Sequence, residues 1–312
     1  MSRTFKYLLK TPTWFTVIMG SLLLFYQTSQ GVLSQNFQII FFITFIALTG
    51  IPHGALDHLI QQETDKQLNR PYNFIHFLVK YLLIMVLYAA AWYWFSGISL
   101  LLFLVISAWH FGETDLDKAP KNIQIWSFTR LFYGFYLLAF ILLTHSGEVN
   151  AIIIKMLSNQ QVSINVWVFA QKNVKQILYL LGLLLSTIFI IAQSENYVVF
   201  DKVRAVRLSL ILGLSVFLPL LPAFALYFGG WHALCAFDTI HNYLRKDYPA
   251  LSFSTVYYKA LPFTILAIIF LGCSFWYVQH YALQYDLFPI LFIFISLITL
   301  PHLVIANQMN NK

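Results

Sequence analysis

Apolar stretches near the roughly 20 residues that a helix needs to cross a bilayer recur along the whole chain, and they constrain its fold more than any other feature. Of the 312 residues, 59% are hydrophobic and 10% are charged, whereas about a quarter of the residues of soluble domains are charged. The charges are too few to cover a water-facing surface. The sequence therefore predicts an all-α, polytopic membrane protein.

Apolar length, polar breaks and turn residues divide the chain into ten predicted spans within one helical domain over residues 1–312. The count becomes eight if residues 206–245 do not cross twice. The first span is expected to be retained rather than removed as a signal peptide, because it lacks a small-residue cleavage pattern. Residues 150–173 are mixed in character and predict an interfacial helix or a loop. The ten spans lie near residues 13–28, 37–60, 73–95, 98–112, 125–145, 174–193, 206–228, 229–245, 260–279 and 285–306.

Basic residues are distributed unevenly between the two sides of these spans. With the N-terminus inside, fourteen lysines and arginines fall on the inside, and three fall on the outside: Lys155, Lys172 and Lys175. Because cytoplasmic loops are enriched in lysine and arginine, we expect both termini in the cytoplasm and the protein in the cell's inner (plasma) membrane. Basic residues scattered at span ends also account for the net charge of +7, so no nucleic-acid partner is expected.

Histidines stand out among the polar residues because several lie in or at the edge of apolar windows. A lone histidine there is most simply explained by a hydrogen bond to a carbonyl of a neighbouring helix. Several together favour a functional site, since imidazole is the commonest metal-ligating side chain and a neutral ligand brings no charge into the bilayer. The histidines concerned are His53, His110, His232 and His302, with His58 five residues after the first.

Proline and glycine flank the first of these histidines. Pro52 frees a backbone carbonyl and Gly54 removes side-chain bulk, so the helix can bend there and let a ligand approach. Asp57 lies four residues after His53, a spacing at which a carboxylate can fix the tautomer of the ring. Since His58 lies about 140° further round an ideal helix, both rings can bind one metal only if the helix is distorted or ends there.

An all-imidazole site limits the choice of metal. The two cysteines, Cys235 and Cys273, lie in apolar surroundings and no spacing pairs them, which argues against iron–sulfur and structural zinc sites. Iron or copper with nitrogen ligands remains. A ferrous ion with an open position binds dioxygen, and the natural organic substrate in a bilayer is a lipid. These residues by themselves indicate a membrane-bound oxygenase.

Four motifs occur along the chain in this order: PHGALDH at 52–58, SAWHFGETD at 107–115, WHA at 231–233 and LPHLV at 300–304. Together they resemble the Brp/Blh family of bacterial β-carotene 15,15′-dioxygenases; the first two motifs are long and specific. The resemblance implies a multispan protein in which histidine-bound Fe(2+) and O2 split β-carotene, or a related carotenoid, into two retinals, often to supply a retinal-binding rhodopsin.

The resemblance also implies three iron ligands, His53, His110 and His232. Many relatives carry a second histidine four residues after the last of these, but here that position is Ala236. We predict His58 as the fourth ligand because it lies beside His53; His302 is the alternative and His241 a more distant third.

Two acids near the motif histidines, Asp57 and Glu113, are expected to orient ligands rather than to transfer protons. Glu113 and Asp115 follow His110 at the end of a span, where solvated loop acids beside nearby lysines are an equally good interpretation. An apolar tunnel that opens into the lipid is expected to admit the carotenoid. No substrate-binding residue is assigned.

A shared site requires an unusual segment before His232. In the predicted topology this histidine starts a descending span near the outer side, whereas the other window histidines lie towards the cytoplasm. We therefore predict that residues 206–228 form a broken or re-entrant segment, with Pro219 and Pro222 as the cause. Gly229 and Gly230 would then permit a tight turn.

Other classes of membrane protein also bury histidines. A b-type cytochrome subunit would pair them across a haem, and a proton-coupled transporter would use them as a relay beside its broken helix. A di-iron desaturase needs many short-spaced histidine boxes, and this chain has the single pair at 53–58. A carotenoid cyclase would need buried carboxylates in its spans, and acids are scarce there.

Overall fold

Helices account for nearly all of the chain that the computed structural model describes, namely residues 12–116, 119–120, 123–157, 160–199, 202–281 and 287–310. Within these ranges there is no β-strand, which confirms the predicted all-α class. We number the helices in chain order: α1 Pro12–Gln30, α2 Gln35–Gln67, α3 Phe74–Trp94, α4 Ser96–Asp115, α5 Gln124–Thr144, α6 Ser146–Met156, α7 Gln161–Lys172, α8 Val174–Glu195, α9 Lys202–Phe217, α10 Leu220–Arg245, α11 Phe253–Tyr281 and α12 Leu287–Asn310.

Eight of the described helices are long and apolar enough to cross a membrane: α2, α3, α4, α5, α8, α10, α11 and α12. The chain is therefore a multi-pass membrane protein, at the lower end of the predicted eight to ten spans. The predicted span 13–28 corresponds to α1, which is not among the eight, and the predicted span 206–228 is divided between α9, also not among them, and the start of α10. With 16 residues, α9 is about 24 Å long, shorter than the hydrocarbon core of roughly 30 Å.

Helix α10 lies at the centre of the bundle. In its most apolar 18-residue stretch 89% of the residues are buried, whereas the corresponding share is 6% in α3, α8 and α11. A helix that is apolar on all sides and buried needs other helices around it, while apolar helices that stay exposed face lipid. His232, which α10 carries, is fully buried in the middle of the protein.

The predicted break occurs within residues 206–228, at Pro219, the first of its two predicted causes. Helix α9 stops at Phe217, Pro219 has the extended ψ of 158°, and α10 starts at Leu220. Pro219 lacks an N–H and disfavours helical backbone at the residue before it, whereas Pro222 lies in the first turn of α10, where no N–H is required. The boundary predicted at residues 228 and 229 was wrong, because α10 continues without interruption through Gly229 and Gly230.

Two side chains satisfy the backbone groups at this break: His145, between α5 and α6, and Glu148, in the first turn of α6. Nε2 of His145 donates a hydrogen bond to the Leu218 carbonyl at 2.9 Å, and the Glu148 carboxylate accepts one from the Leu220 N–H at 3.1 Å. Orphaned backbone groups at helix ends are costly in an apolar interior unless they find such partners. Side chains of the bundle therefore stabilise the break.

Two turns of π-helix, in α2 and in α10, pack against each other in the core. They comprise Ile46–Gly50 and Phe228–Ala233. A Cβ on Gly229 would lie 2.9 Å from Oγ1 of Thr49, and a Cβ on Gly50 would lie 3.0 Å from the Phe228 ring. The glycine pair in α10 thus serves close helix approach rather than the predicted tight turn. A π-turn adds a residue to the helical repeat and is frequent at functional sites.

The mixed segment 150–173 is helical rather than a loop over its described residues. It forms the end of α6 and all of α7, which pack side by side. Nε1 of Trp167 on α7 donates a hydrogen bond to Oδ1 of Asn150 on α6 at 3.0 Å. Both helices pack against the start of α10 through an apolar cluster that includes Leu220.

Helices α4 and α5 cross at two reciprocal glycines. A Cβ on Gly112 would overlap the backbone carbonyl of Arg130, and a Cβ on Gly134 would overlap that of Ala108. Small residues allow helices to approach closely in membranes, where van der Waals packing contributes strongly to association. Gly112 follows His110 by two residues, so the glycine of the SAWHFG motif allows the close approach of α5 beside that histidine.

Replacing Gly134 by alanine is expected to destabilise the protein by about 1–3 kcal/mol, because the backbones of α4 and α5 must move apart. The measurement is the thermal unfolding midpoint of the protein purified in detergent. Gly272→Ala in α11 is the matched control, since its added Cβ meets nothing within 4 Å. Equal midpoints for the two variants would contradict the close crossing.

Candidate metal centre

His53 lies in a short helical segment of α2 between two irregularities. The π-turn ends at Gly50, the α-helical segment Ile51–Gly54 carries His53, and a turn at residues 55 and 56 precedes the next segment, Asp57–Gln67. Pro52 lies at the start of the short segment, where its missing N–H costs little. The predicted distortion next to His53 is therefore present, and it separates His53 from the residues after it.

Four histidines converge from helices distant in sequence: His53 from α2, His110 from α4, His232 from the π-turn of α10 and His302 from α12. One ring nitrogen from each of the first three lies within 4.8 Å of the others. The ring of His302 has its centroid 5.1 Å from that of His53 and 4.9 Å from that of His110. The exposed fraction of each of the four residues is 6% or less.

Each of the four rings has a buried nitrogen without a hydrogen-bond partner in the described part of the chain. These atoms are Nδ1 of His53, Nε2 of His110, both ring nitrogens of His232 and Nε2 of His302. A buried polar atom without a partner is costly, and native structures rarely leave several together. Lone pairs of neutral imidazoles facing one another are instead the donor set of a metal ion. The cluster therefore fits a bound metal.

Asp57 contacts His302 rather than taking the expected position beside His53. Oδ1 of Asp57 accepts a hydrogen bond from Nδ1 of His302 at 2.7 Å, and Oδ2 accepts one from the Tyr81 hydroxyl at 3.2 Å. The turn at residues 55 and 56 breaks the i,i+4 relation on which the expected pairing depended. Such a carboxylate fixes the proton on Nδ1 and leaves Nε2 as the free ligand atom.

His58 does not join the four converging rings. Its Nδ1 donates a hydrogen bond to the Ala55 carbonyl at 3.1 Å, and its ring packs against Phe263 with centroids 4.5 Å apart. His241, the third alternative, also has a backbone partner, since its Nε2 lies 3.1 Å from the Leu251 carbonyl. The structure therefore brings His302, and not His58, next to the three histidines of the motifs.

Glu113 links two of the helices that carry the converging histidines. With its side-chain amide oriented so that the nitrogen faces Glu113, Asn307 on α12 donates to both carboxylate oxygens, at 3.2 and 3.3 Å. Glu113 follows His110 by three residues on α4, and Asn307 follows His302 by five on α12. The contact thus joins the two helices one to two turns beyond the cluster.

A largely apolar cavity of about 920 Å3 reaches the cluster. His53, His110 and His302 form part of its wall, while Phe111 and Phe228, which also line it, cover the ring of His232 at centroid distances of 4.5 and 5.7 Å. Some lining residues are exposed on the outer surface, among them Leu82 at 48% and Leu266 at 58%. The cavity therefore extends from the histidines to a lipid-facing side of the bundle.

The model of one protein family matches residues 44–310, most of the chain and all of the histidines just described. That family is described as beta-carotene 15,15'-dioxygenase. The chain belongs to this family. The family resemblance of the four motifs is thus confirmed. The family match does not favour the cytochrome or transporter alternatives.

One curated protein is similar to part of this chain. The protein is named beta-carotene 15,15'-dioxygenase, from Uncultured marine bacterium 66A03, and is 33% identical over 82 residues. The alignment spans 26% of this chain and 30% of that relative, less than a third of either protein. No solved structure matches the chain significantly.

Asp115 is a buried member of the family motif SAWHFGETD whose role the sequence analysis missed. Its Oδ1 accepts a hydrogen bond from Nε1 of Trp231 at 2.7 Å, and its Oδ2 accepts from the hydroxyls of Tyr133 at 3.0 Å and Tyr227 at 3.3 Å. Arg204 lies 3.9 Å from Oδ1. The interpretation as a solvated loop acid was wrong for this residue, because other helices cover the end of α4. An acid at the end of a histidine motif was the available signal.

Proposed function

We propose that this chain is a membrane-embedded, non-haem iron oxygenase that cleaves β-carotene at its central 15,15′ double bond with O2, giving two molecules of all-trans-retinal. The observation that carries this proposal is the group of four buried histidines with unpaired nitrogens at the wall of an apolar cavity. Membership of the beta-carotene 15,15'-dioxygenase family supports it. With central cleavage, each product keeps one half of the symmetric polyene and gains one aldehyde oxygen.

The proposed ligands of Fe(2+) are His53, His110 and His232, with His302 as the fourth. His302 replaces the predicted His58 because its Nε2 is unpaired and its ring lies beside those of His53 and His110. Four neutral imidazoles leave the +2 charge of the ion uncompensated. Asp57, hydrogen-bonded to His302, brings a negative charge near the ion without binding it.

When bound, the iron would activate O2. Without a metal, the direct reaction of O2 with ordinary organic molecules is spin-forbidden. The chain supplies the surroundings for that chemistry. Asp57 keeps the proton of His302 on Nδ1, and Phe111 and Phe228 cover the ring of His232. The apolar wall excludes water and holds the polyene alongside the histidines. Such positioning can lower the activation free energy by several kcal/mol.

The cavity supports a carotenoid substrate taken directly from the bilayer. A long hydrocarbon has negligible solubility in water, so it must reach the site through the membrane. Exposed lining residues such as Leu82 and Leu266 place a side of the cavity where lipid would lie. In this proposal the protein resides in the inner membrane with both termini cytoplasmic, and a retinal-binding rhodopsin would consume the product.

Expression of the full chain in a bacterium that makes β-carotene tests the proposed function. We expect the cells to lose their orange colour and their extracts to contain retinal, because the substrate is already dissolved in the membrane. The measurement is chromatography of the extract with detection of retinal and of longer apocarotenals. A His53→Ala strain with equal amounts of membrane-inserted protein is the control. Retinal at the same level in both strains would contradict a role for the histidine cluster.

A further inference from the structure

His232 differs from the other histidines of the cluster in how its ring is held. Both of its nitrogens lack a hydrogen-bond partner among the described residues, whereas Nδ1 of His302 is held by Asp57. Ligating histidines usually donate their second ring N–H to an acceptor, and that bond fixes the orientation of the ring. For His232 the orientation must come from its backbone and from packing against Phe111 and Phe228.

The backbone of His232 belongs to the π-turn Phe228–Ala233, whose conformation therefore controls where the ring points. A π-turn contains one residue more than the α-helical repeat, so relaxation to α-helix would rotate the following residues by about 100°. Such a turn persists when neighbouring groups hold it. On one side Oγ1 of Thr16 donates a hydrogen bond to the Gly230 carbonyl at 2.6 Å.

Asp115 holds the other side of the same turn. Its carboxylate accepts hydrogen bonds from Tyr227, the residue before the π-turn, and from Trp231, the residue before His232. Asp115 itself lies on α4, five residues after His110. One buried carboxylate thus fixes the position of the turn that carries His232 relative to the helix that carries His110.

The surroundings of Asp115 explain why a charge is tolerated there. Its side chain is 3% exposed, and burying a carboxylate costs several kcal/mol unless it is paired and hydrogen-bonded. Three hydrogen bonds from α5 and α10 and the Arg204 guanidinium 3.9 Å away meet that requirement. Charge-assisted hydrogen bonds are roughly twice as strong as neutral ones, so this carboxylate is a stiff anchor.

From this arrangement we infer that Asp115 is a positioning residue for the metal centre: acting through the indole of Trp231, it holds the π-turn in the conformation that points His232 at the ion. Asp115 is not a ligand in this inference, and it touches no substrate. The inference rests on the proposed iron site. It adds that the geometry of one ligand is set by a carboxylate on another ligand-bearing helix.

Titration of the purified, metal-free full chain with Co2+ tests this inference without relying on activity. The visible absorption bands of Co2+ report both affinity and the geometry of the ligands. Trp231→Phe keeps an aromatic ring but removes the N–H that Asp115 accepts, and we expect Co2+ affinity to fall about 10–100-fold with shifted bands, the usual cost of losing such a supporting contact. Trp167→Phe is the matched control, because it removes an indole hydrogen bond between helices that carry no clustered histidine.

Two variants of Asp115 separate positioning from simple destabilisation. Asp115→Asn keeps an oxygen to accept from Trp231, and its amide N–H groups can donate to the hydroxyl oxygens of Tyr133 and Tyr227. It should therefore retain Co2+ affinity within a few-fold of wild type, whereas Asp115→Ala should lose about 10–100-fold. Should Trp231→Phe bind Co2+ as wild type does, with unshifted bands, the inference is overturned while the iron site stands. Failure of the wild-type chain to bind Co2+ or Fe2+ would overturn both.

Discussion

The His110→Ala protein is expected to form no retinal and to be purified with little iron, while still inserting into the membrane. His110 is 6% exposed, its Nε2 has no hydrogen-bond partner in the described chain, and its ring lies within 6.4 Å of those of His53, His232 and His302. Contacts that merely orient ligands contribute about 10–100-fold to metal affinity, so loss of a ligand should exceed 100-fold. Iron content per protein and retinal yield are the measurements.

His241→Ala is the control for this experiment, because His241 is also a buried histidine but has the Leu251 carbonyl as a partner. We expect it to keep both iron and activity. Size-exclusion profiles of the two variants in detergent should match that of wild type, because both histidines lie inside helices and alanine leaves those helices intact. Full activity and full iron content in purified His110→Ala protein would refute the proposed centre.

His302→Ala is expected to lose iron and His58→Ala to keep it. Comparing the two variants therefore identifies the fourth ligand. His302→Ala removes an unpaired nitrogen from the cluster and leaves the Asp57 carboxylate without its imidazole partner. We expect the affinity for iron to fall by more than about 100-fold and no retinal to be detected. His58→Ala removes a ring that packs on Phe263 and bonds to the Ala55 carbonyl, so iron content should stay at the wild-type level.

Iron analysis of the two purified proteins, side by side with wild type, is the measurement. His58 lines the same cavity, so His58→Ala protein can show a changed retinal yield while its iron content is unchanged. The reverse result, iron lost from His58→Ala and kept in His302→Ala, would restore His58 as the fourth ligand. It would require the turn at residues 55 and 56 to be rebuilt.

The features of the fold that the sequence predicted correctly are those that depend on neighbouring residues along the chain. Apolar length predicted the helical membrane fold, because a chain in lipid must satisfy its backbone hydrogen bonds within each span. The break before His232 was also predicted, since Pro219 cannot continue a helix. The boundary between the two spans was misplaced at residues 228 and 229, because Gly229 and Gly230 were expected to form a tight turn. Pro222, the second predicted cause of the break, lies in the first turn of α10 and does not interrupt it.

The sequence did not predict the π-turns or the contacts that Asp115 makes with other helices. A π-turn in α2 or α10 leaves the apolar pattern nearly unchanged and depends on which residues of other helices fill the space beside it, such as Thr16 beside Gly230. Asp115 looked like a loop acid because nothing local shows that Tyr133 and Trp231 arrive from other helices. Its burial is a property of the packed bundle.

The sequence by itself determined that this protein lies in a membrane, its helical class, its family and the three histidines that the family motifs mark. The first two follow from residue type and short-range spacing, whereas the family and its three histidines follow from the resemblance of the four motifs to known proteins. Tertiary structure alone decided that His302 lies beside those three while His58 is turned aside, that Asp57 serves His302, and that a cavity joins the cluster to the lipid-facing side. The physical reason is that a ligand set is defined by distances between helices, and such distances depend on side chains that lie far apart along the chain.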